Sequence, residues 1–227
     1  MIRALKSSLG FGLLIAMLVT ACGTAPTASI EVTESTASIE PTASKALIKS
    51  AWKNSTHEGH PRKVMVIGVA KDPANRKFFE DEFVRQLKAR DTDAIASYTV
   101  LPEAKLNDPV VIAEKISEQG SDAVLVSRRV SKNDVQIFVP GTIFHPHIYY
   151  DTWVDYFGYS YQALFMKDHI GDDEQALMET NVYDALNKNM IWSATSETEM
   201  LASDKATIKA TVDAIVGSMA KRKLLGK

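Results

Sequence analysis

The sequence predicts an α/β (α+β) fold: a mixed sheet with a β-α-β-α-β-β start, a C-terminal β-hairpin and a closing helix, packed as an α/β sandwich. Three observations predict it. Two apolar strand-like runs each lead into an Asp-Pro pair, in which an N-cap side chain precedes proline at the first helical position. Two long segments flank Asn187-Lys188-Asn189 as the arms of a hairpin. The last segment keeps Ile208, Val212, Ile215, Val216 and Met219 on one helical face.

Taken in order, the chain begins with Arg3 and Lys6 and then the apolar run from Leu9 to Val19. That run is too short to span a bilayer comfortably and suits the core of a secretory signal. It ends in Val19-Thr20-Ala21-Cys22, which resembles the lipobox of bacterial lipoproteins. The resemblance implies a signal peptide over residues 1–21, lipid attached to the Cys22 sulfur, and cleavage that leaves Cys22 first. The chain holds one Cys, so no intramolecular disulfide competes for it. Residue 23 is Gly rather than Asp, and by the same resemblance this implies the outer membrane, periplasmic face, reached through a lipid anchor.

Residues 22–45 are dominated by Thr, Ala, Ser, Glu and Pro, and Thr27-Ala28-Ser29-Ile30-Glu31 recurs as Thr36-Ala37-Ser38-Ile39-Glu40. Such a stretch buries too little apolar surface to offset its ordering entropy, so a disordered tether is expected. One folded domain is expected over residues 62–223.

Lys63 to Val69 reads as a buried strand, and Asp72-Pro73 starts a helix with Phe79, Phe83, Val84 and Leu87 on its apolar stripe. Arg76 and Glu80 read as a surface i,i+4 pair on that helix. Ile95 to Leu101 is the second expected strand. Asp108-Pro109 starts a helix carrying Ile112, Ala113 and Ile116, and Gly120 ends it. Ala123 to Ser127, extending toward Val130, is a third strand, with Val135 to Val139 returning antiparallel to it. Residues 143–165 form an aromatic insertion holding nine of the eighteen aromatics (3 Trp, 7 Tyr and 8 Phe). Within it Phe157, Tyr159, Tyr161, Ala163 and Phe165 alternate at a strand period. Ala176 to Leu186 and Met190 to Thr198 make the hairpin, with Trp192 pointing into the core. Ser203-Asp204 caps the last helix, and Lys221, Arg222 and Lys223 complement its carbonyl end.

The lipobox, the Thr/Ser/Pro leash, the Val-rich strand before Asp72-Pro73 and the closing Ile191-Trp192-Ser193-Ala194-Thr195 together resemble uncharacterised bacterial envelope lipoproteins. Their domain is similar in outline to TolB amino-terminal, LpoB and CsgG-type α/β lipoprotein domains. The resemblance implies a non-enzymatic accessory or assembly role through an envelope protein partner or self-association.

The chemistry that the sequence offers is sparse. Net charge is -2, so there is no basic excess for nucleic-acid binding. Removing residues 1–21 takes two basic residues and leaves 24 against 28 acidic ones. Gly68-Val69-Ala70-Lys71 follows a strand but lacks both dinucleotide and phosphate-loop glycine patterns, so no cofactor is expected. His57 and His60 are spaced i,i+3 beside Pro61, unlike a zinc-protease helix. His145, His147 and His169 are the candidate metal ligands of an alternative reading, a small-ligand or metal-binding envelope lipoprotein. Gly158-Tyr159-Ser160-Tyr161 lacks the second glycine of a nucleophile elbow, so no catalytic residue is expected. Tyr149, Tyr150, Trp153, Tyr156, Tyr159 and Tyr161 are the candidate interaction surface, because aromatic rings supply large contact area at low entropy cost. The alternative is that these rings cover one face of the sheet.

Overall fold

The computed structural model describes residues 46–130, 152–165, 175–200 and 203–226. They form β1 (Ala46–Lys53), β2 (Lys63–Val69), α1 (Pro73–Lys88), β3 (Asp93–Ala96), α2 (Pro109–Glu118), β4 (Ala123–Val130), α3 (Trp153–Phe165), β5 (Gln175–Asp184), β6 (Met190–Glu199) and α4 (Asp204–Lys221). The strands make one mixed sheet in the order β1-β6-β5-β4-β2-β3. β2 runs parallel to β3 and β4, whereas β4-β5, β5-β6 and β6-β1 are antiparallel. The expected α/β fold with a mixed sheet is what the chain adopts.

Strand alternation divides the core into two layers. Val64 and Val66 of β2 and Leu125 of β4 meet Phe83 and Leu87 of α1 and Val212, Ile215 and Val216 of α4. Met65, Ile67, Val124 and Val126 point the other way, onto Ile112 and Ile116 of α2 and Trp153, Tyr156 and Phe157 of α3. Helices therefore cover both faces of the parallel strands, which accounts for the unbroken apolar runs in β2 and β4. Trp192 is fully buried in the α1/α4 layer, as its sequence position predicts.

The helix starts follow the capping chemistry. Asp72 accepts from the Ala74 N–H, Asp108 from those of Val110 and Val111, and Ser203 from that of Ala206. Gly120 sits at φ +63° just past α2, a left-handed position that ends the helix with no Cβ penalty. The β5–β6 hairpin closes through Asp184, whose Oδ1 accepts from the N–H groups of Leu186 and Asn187.

Three expectations are corrected, and a fourth falls outside the described residues. The segment from Phe157 to Phe165 is helix, not strand: Trp153, Tyr156, Phe157 and Ser160 are the buried positions, a 3.6-residue period. Its start is fixed by Thr152, whose Oγ1 accepts from the Asp155 N–H at 3.3 Å and donates to Asp155 Oδ2 at 2.6 Å. The second strand is Asp93–Ala96 rather than Ile95 to Leu101, because Ser97–Thr99 turns into a 3-10 helix as soon as the chain reaches a buried carboxylate described below. β1 is an edge strand that the sequence reading left unassigned, and Leu224 and Leu225 lie in the α1/α4 core, so the packed unit exceeds residues 62–223 at both ends. The expected strand Val135 to Val139 lies outside the described residues, and the antiparallel neighbour of β4 is β5.

Candidate functional site

The site lies where β2 and β4 end and α1 and α4 begin, the carboxyl end of the parallel strands, where α/β folds leave room for ligands. Gly68 is the reason α1 sits so close there. A Cβ at that position would stand 3.2 Å from Phe79 Cδ1 and 3.5 Å from Glu80 Cγ. The bare backbone lets the helix approach without displacing Phe79 and brings the Glu80 carboxylate within reach of the strand.

Glu80 is fully buried and takes four donors. Its Oε1 accepts from Gly68 N–H at 3.0 Å, Arg76 Nε at 2.9 Å and Ser97 Oγ at 2.8 Å, and its Oε2 accepts from Tyr98 N–H at 3.0 Å. Arg76 also donates through Nη2 to Ser97 Oγ at 2.8 Å. Burial pushes the Glu80 carboxyl above its ordinary value, opposed by the Arg76 charge and by the hydrogen bonds from Gly68, Tyr98 and Ser97. The expected surface pair is thus a buried ion pair, with Arg76 5% and Glu80 0% exposed. It pins α1, the end of β2 and the turn after β3 to one carboxylate.

Above this pair is a cavity of about 280 Å3. Its apolar wall comes from Val69, Phe79, Ala176, Met178 and Ile208, and Ser127, Thr207 and Thr211 add hydroxyls. Ser127 Oγ lies 2.8 Å from Thr180 Oγ1, and Thr211 Oγ1 lies 2.8 Å from Thr198 Oγ1. Lys71, Arg76, Arg128 and Arg129 line it against Asp72 and Asp204. The two helix starts are joined across it by Asn75 Nδ2 donating to Asp204 Oδ2 at 2.8 Å. Arg129 is paired across strands with Met178, which places it on the α1/α4 face.

On the opposite face Arg128 donates to Glu179 Oε2 at 2.9 Å and lies 4.9 Å from the ring centre of Tyr159 and 5.7 Å from that of Tyr156. A guanidinium over an aromatic face gains from the ring quadrupole. Burial pushes the Tyr156 and Tyr183 phenols up, so both remain protonated at neutral pH.

The residues singled out in the sequence separate accordingly. Trp153 and Tyr156 are core residues of the α2/α3 layer, which corrects their assignment to an interaction surface. Their rings cover a sheet face, while Tyr159 and Tyr161 are half-buried. Ser160 lies in α3, not in a strand, and its hydroxyl donates to the Tyr156 carbonyl at 2.6 Å. Cys22, His145, His147, His169, Tyr149 and Tyr150 lie outside the described residues. Sequence reasoning missed the cavity and the burial of Arg76–Glu80; the available signal was Gly68 closing an otherwise bulky apolar strand.

No protein-family profile matches the chain, and no curated protein matches it significantly. Among solved structures it is similar to the PelC dodecamer from Paraburkholderia phytofirmans, at 14% identity and a TM-score of 0.42, covering 80% of this chain and 99% of that one. It is also similar to lipoprotein GNA1162 from Neisseria meningitidis, at 12% identity and a TM-score of 0.37, covering 70% of this chain and 97% of that one.

Proposed function

We propose that the chain is a bacterial envelope lipoprotein, lipidated on Cys22 and held on the periplasmic face of the outer membrane. Its α/β domain acts there as a non-enzymatic accessory or assembly module, through contact with an envelope protein or a further copy of itself. The observation that carries this reading is the only Cys of the chain standing at the end of Val19-Thr20-Ala21-Cys22, directly after the apolar run from Leu9 to Val19. Gly23 supports the outer rather than the inner membrane. No helix among the described residues is long and apolar enough to cross a membrane. A binding role is supported by Tyr159 and Tyr161 of α3, whose rings are half-buried and leave part of their surface open to a partner.

Two experiments test it. Labelled palmitate should enter the wild-type chain and be lost from Cys22→Ser; label persisting in the variant overturns the anchor. Crosslinking in cells should co-purify a defined envelope protein or a second copy, and a chain that stays uncrosslinked overturns the docking role. A second reading, small-ligand binding, is favoured by one observation: the apolar cavity beside the buried Arg76.

A further inference from the structure

We infer that the cavity between the starts of α1 and α4 binds a small amphipathic anion, of the size and chemistry of a medium-chain carboxylate. This rests on the small-ligand reading and deepens it.

The volume sets the size. About 280 Å3 lies at the small end of ligand sites, which run roughly 300–1,000 Å3, and suits a medium-chain ligand. The wall sets the tail. Phe79, Met178, Ile208 and Ala176 offer an apolar surface, and no polar group lies among those four to hold a hydrated ligand.

The cations set the head. Arg76 is nineteen-twentieths buried yet lines the cavity, and its Nε and Nη2 are taken by Glu80 and Ser97. Its Nη1 is left with no hydrogen-bond partner among the described residues. Lys71 and Arg129 also line the cavity, and among the described residues neither has a hydrogen-bond or ion-pair partner. The two lining acids are held in place, with Asp72 Oδ1 accepting from Ala74 N–H and Asp204 Oδ2 from Asn75, and both keep their charge. On the α1/α4 face Lys71, Arg76 and Arg129 stand against Asp72, Asp204 and, behind Arg76, Glu80, so the charge balances, while Arg128 is turned to the opposite face with Glu179. The attraction is therefore local, supplied by two side chains unpaired among the described residues and one spare guanidinium N–H.

The test uses the chain from residue 22 with Cys22→Ser, which retains the whole sheet and both cores and carries no acyl group to compete. Isothermal titration with octanoate, octanol and octylammonium should show octanoate binding at least tenfold more tightly than either of the others. The exposed and half-exposed cations are tested as Lys71→Gln/Arg129→Gln, expected to weaken octanoate about tenfold while leaving the melting temperature in place. Ile208→Trp, which fills the apolar wall, should abolish binding. Octanol binding as tightly as octanoate overturns the anionic assignment and leaves small-ligand binding standing. A folded chain that takes none of the three overturns both, and full binding by folded Ile208→Trp places the ligand elsewhere and overturns this site.

Discussion

Removing the Glu80 carboxylate is the sharpest test of how the site is built. In Glu80→Ala, Arg76 remains buried with no counter-charge, and the backbone N–H groups of Gly68 and Tyr98 lose the carboxylate that accepts from them. Breaking a buried ion pair from one side costs about 3–5 kcal/mol, and each orphaned buried donor about 1–3 kcal/mol. Water entering from the cavity recovers most of the second amount, so a loss of about 4–6 kcal/mol is expected. Against a total stability of roughly 5–15 kcal/mol, that is a large fraction. Urea unfolding followed by the fluorescence of buried Trp153 and Trp192 measures it. Should Glu80→Ala not fold, Glu80→Gln keeps one carbonyl acceptor and gives a smaller loss in the same assay. The companion is a double-mutant cycle with Arg76→Met and Glu80→Met, in which the double variant is less destabilised than Glu80→Met alone. A Glu80→Ala loss below about 1 kcal/mol, or strict additivity in the cycle, would refute the claim that this pair organises the site.

Three further outcomes are expected. Trp192→Ala, at a fully buried ring, should lose about 3–5 kcal/mol by chemical denaturation. Gly68→Ala should lose about 1–3 kcal/mol, because its new methyl meets Phe79 at 3.2 Å, and a neutral result would show that α1 can slide away. The Glu82 carboxyl is held below its ordinary value first by the hydrogen bond from Arg85, against burial, and then by that from Gln86. Its folded value is therefore depressed, so its contribution is fully present above the unfolded value near 4.5 and is lost as pH falls through the folded one. Glu82→Gln should accordingly flatten the acid side of a stability-against-pH curve, whereas an unchanged acid limb counts against the assignment. Glu80 has the opposite slope, since a raised folded value makes its contribution fall as pH rises through it.

What could be read in advance was the part governed by local chemistry. The Asp72, Asp108 and Ser203 caps, the apolar runs of β2 and β4 and the β5–β6 hairpin are all near-neighbour patterns. α3 reads as a strand from sequence because aromatics at 157, 159 and 161 satisfy a period of two, while the buried set 153, 156, 157 and 160 satisfies 3.6. Residue type alone does not say which subset is buried, although Thr152 three residues before Asp155 was an available helix-start signal. Arg76 and Glu80 show the same limit. An i,i+4 ion pair has one spacing whether it faces water or a strand, and only the missing side chain at Gly68 distinguishes the two. β1 escaped notice because Ala46–Lys53 has a half-buried, irregular pattern, with its register shifting between Ile48 and Ser50, and gains its order from β6.

The position of that strand has a mechanical consequence. Whatever pulls on the chain ahead of residue 46 loads β1 first, at Ala46, the end of the ladder opposite Thr198. Tension applied there across the strand opens hydrogen bonds one pair at a time, like a zip, until it reaches Lys53, whose ammonium clasps the Arg222 and Lys223 carbonyls at 3.3 and 3.1 Å. The domain therefore meets drag through its least embedded strand, and the far end of that strand is fastened to the carboxyl terminus of α4, which acts as the stop.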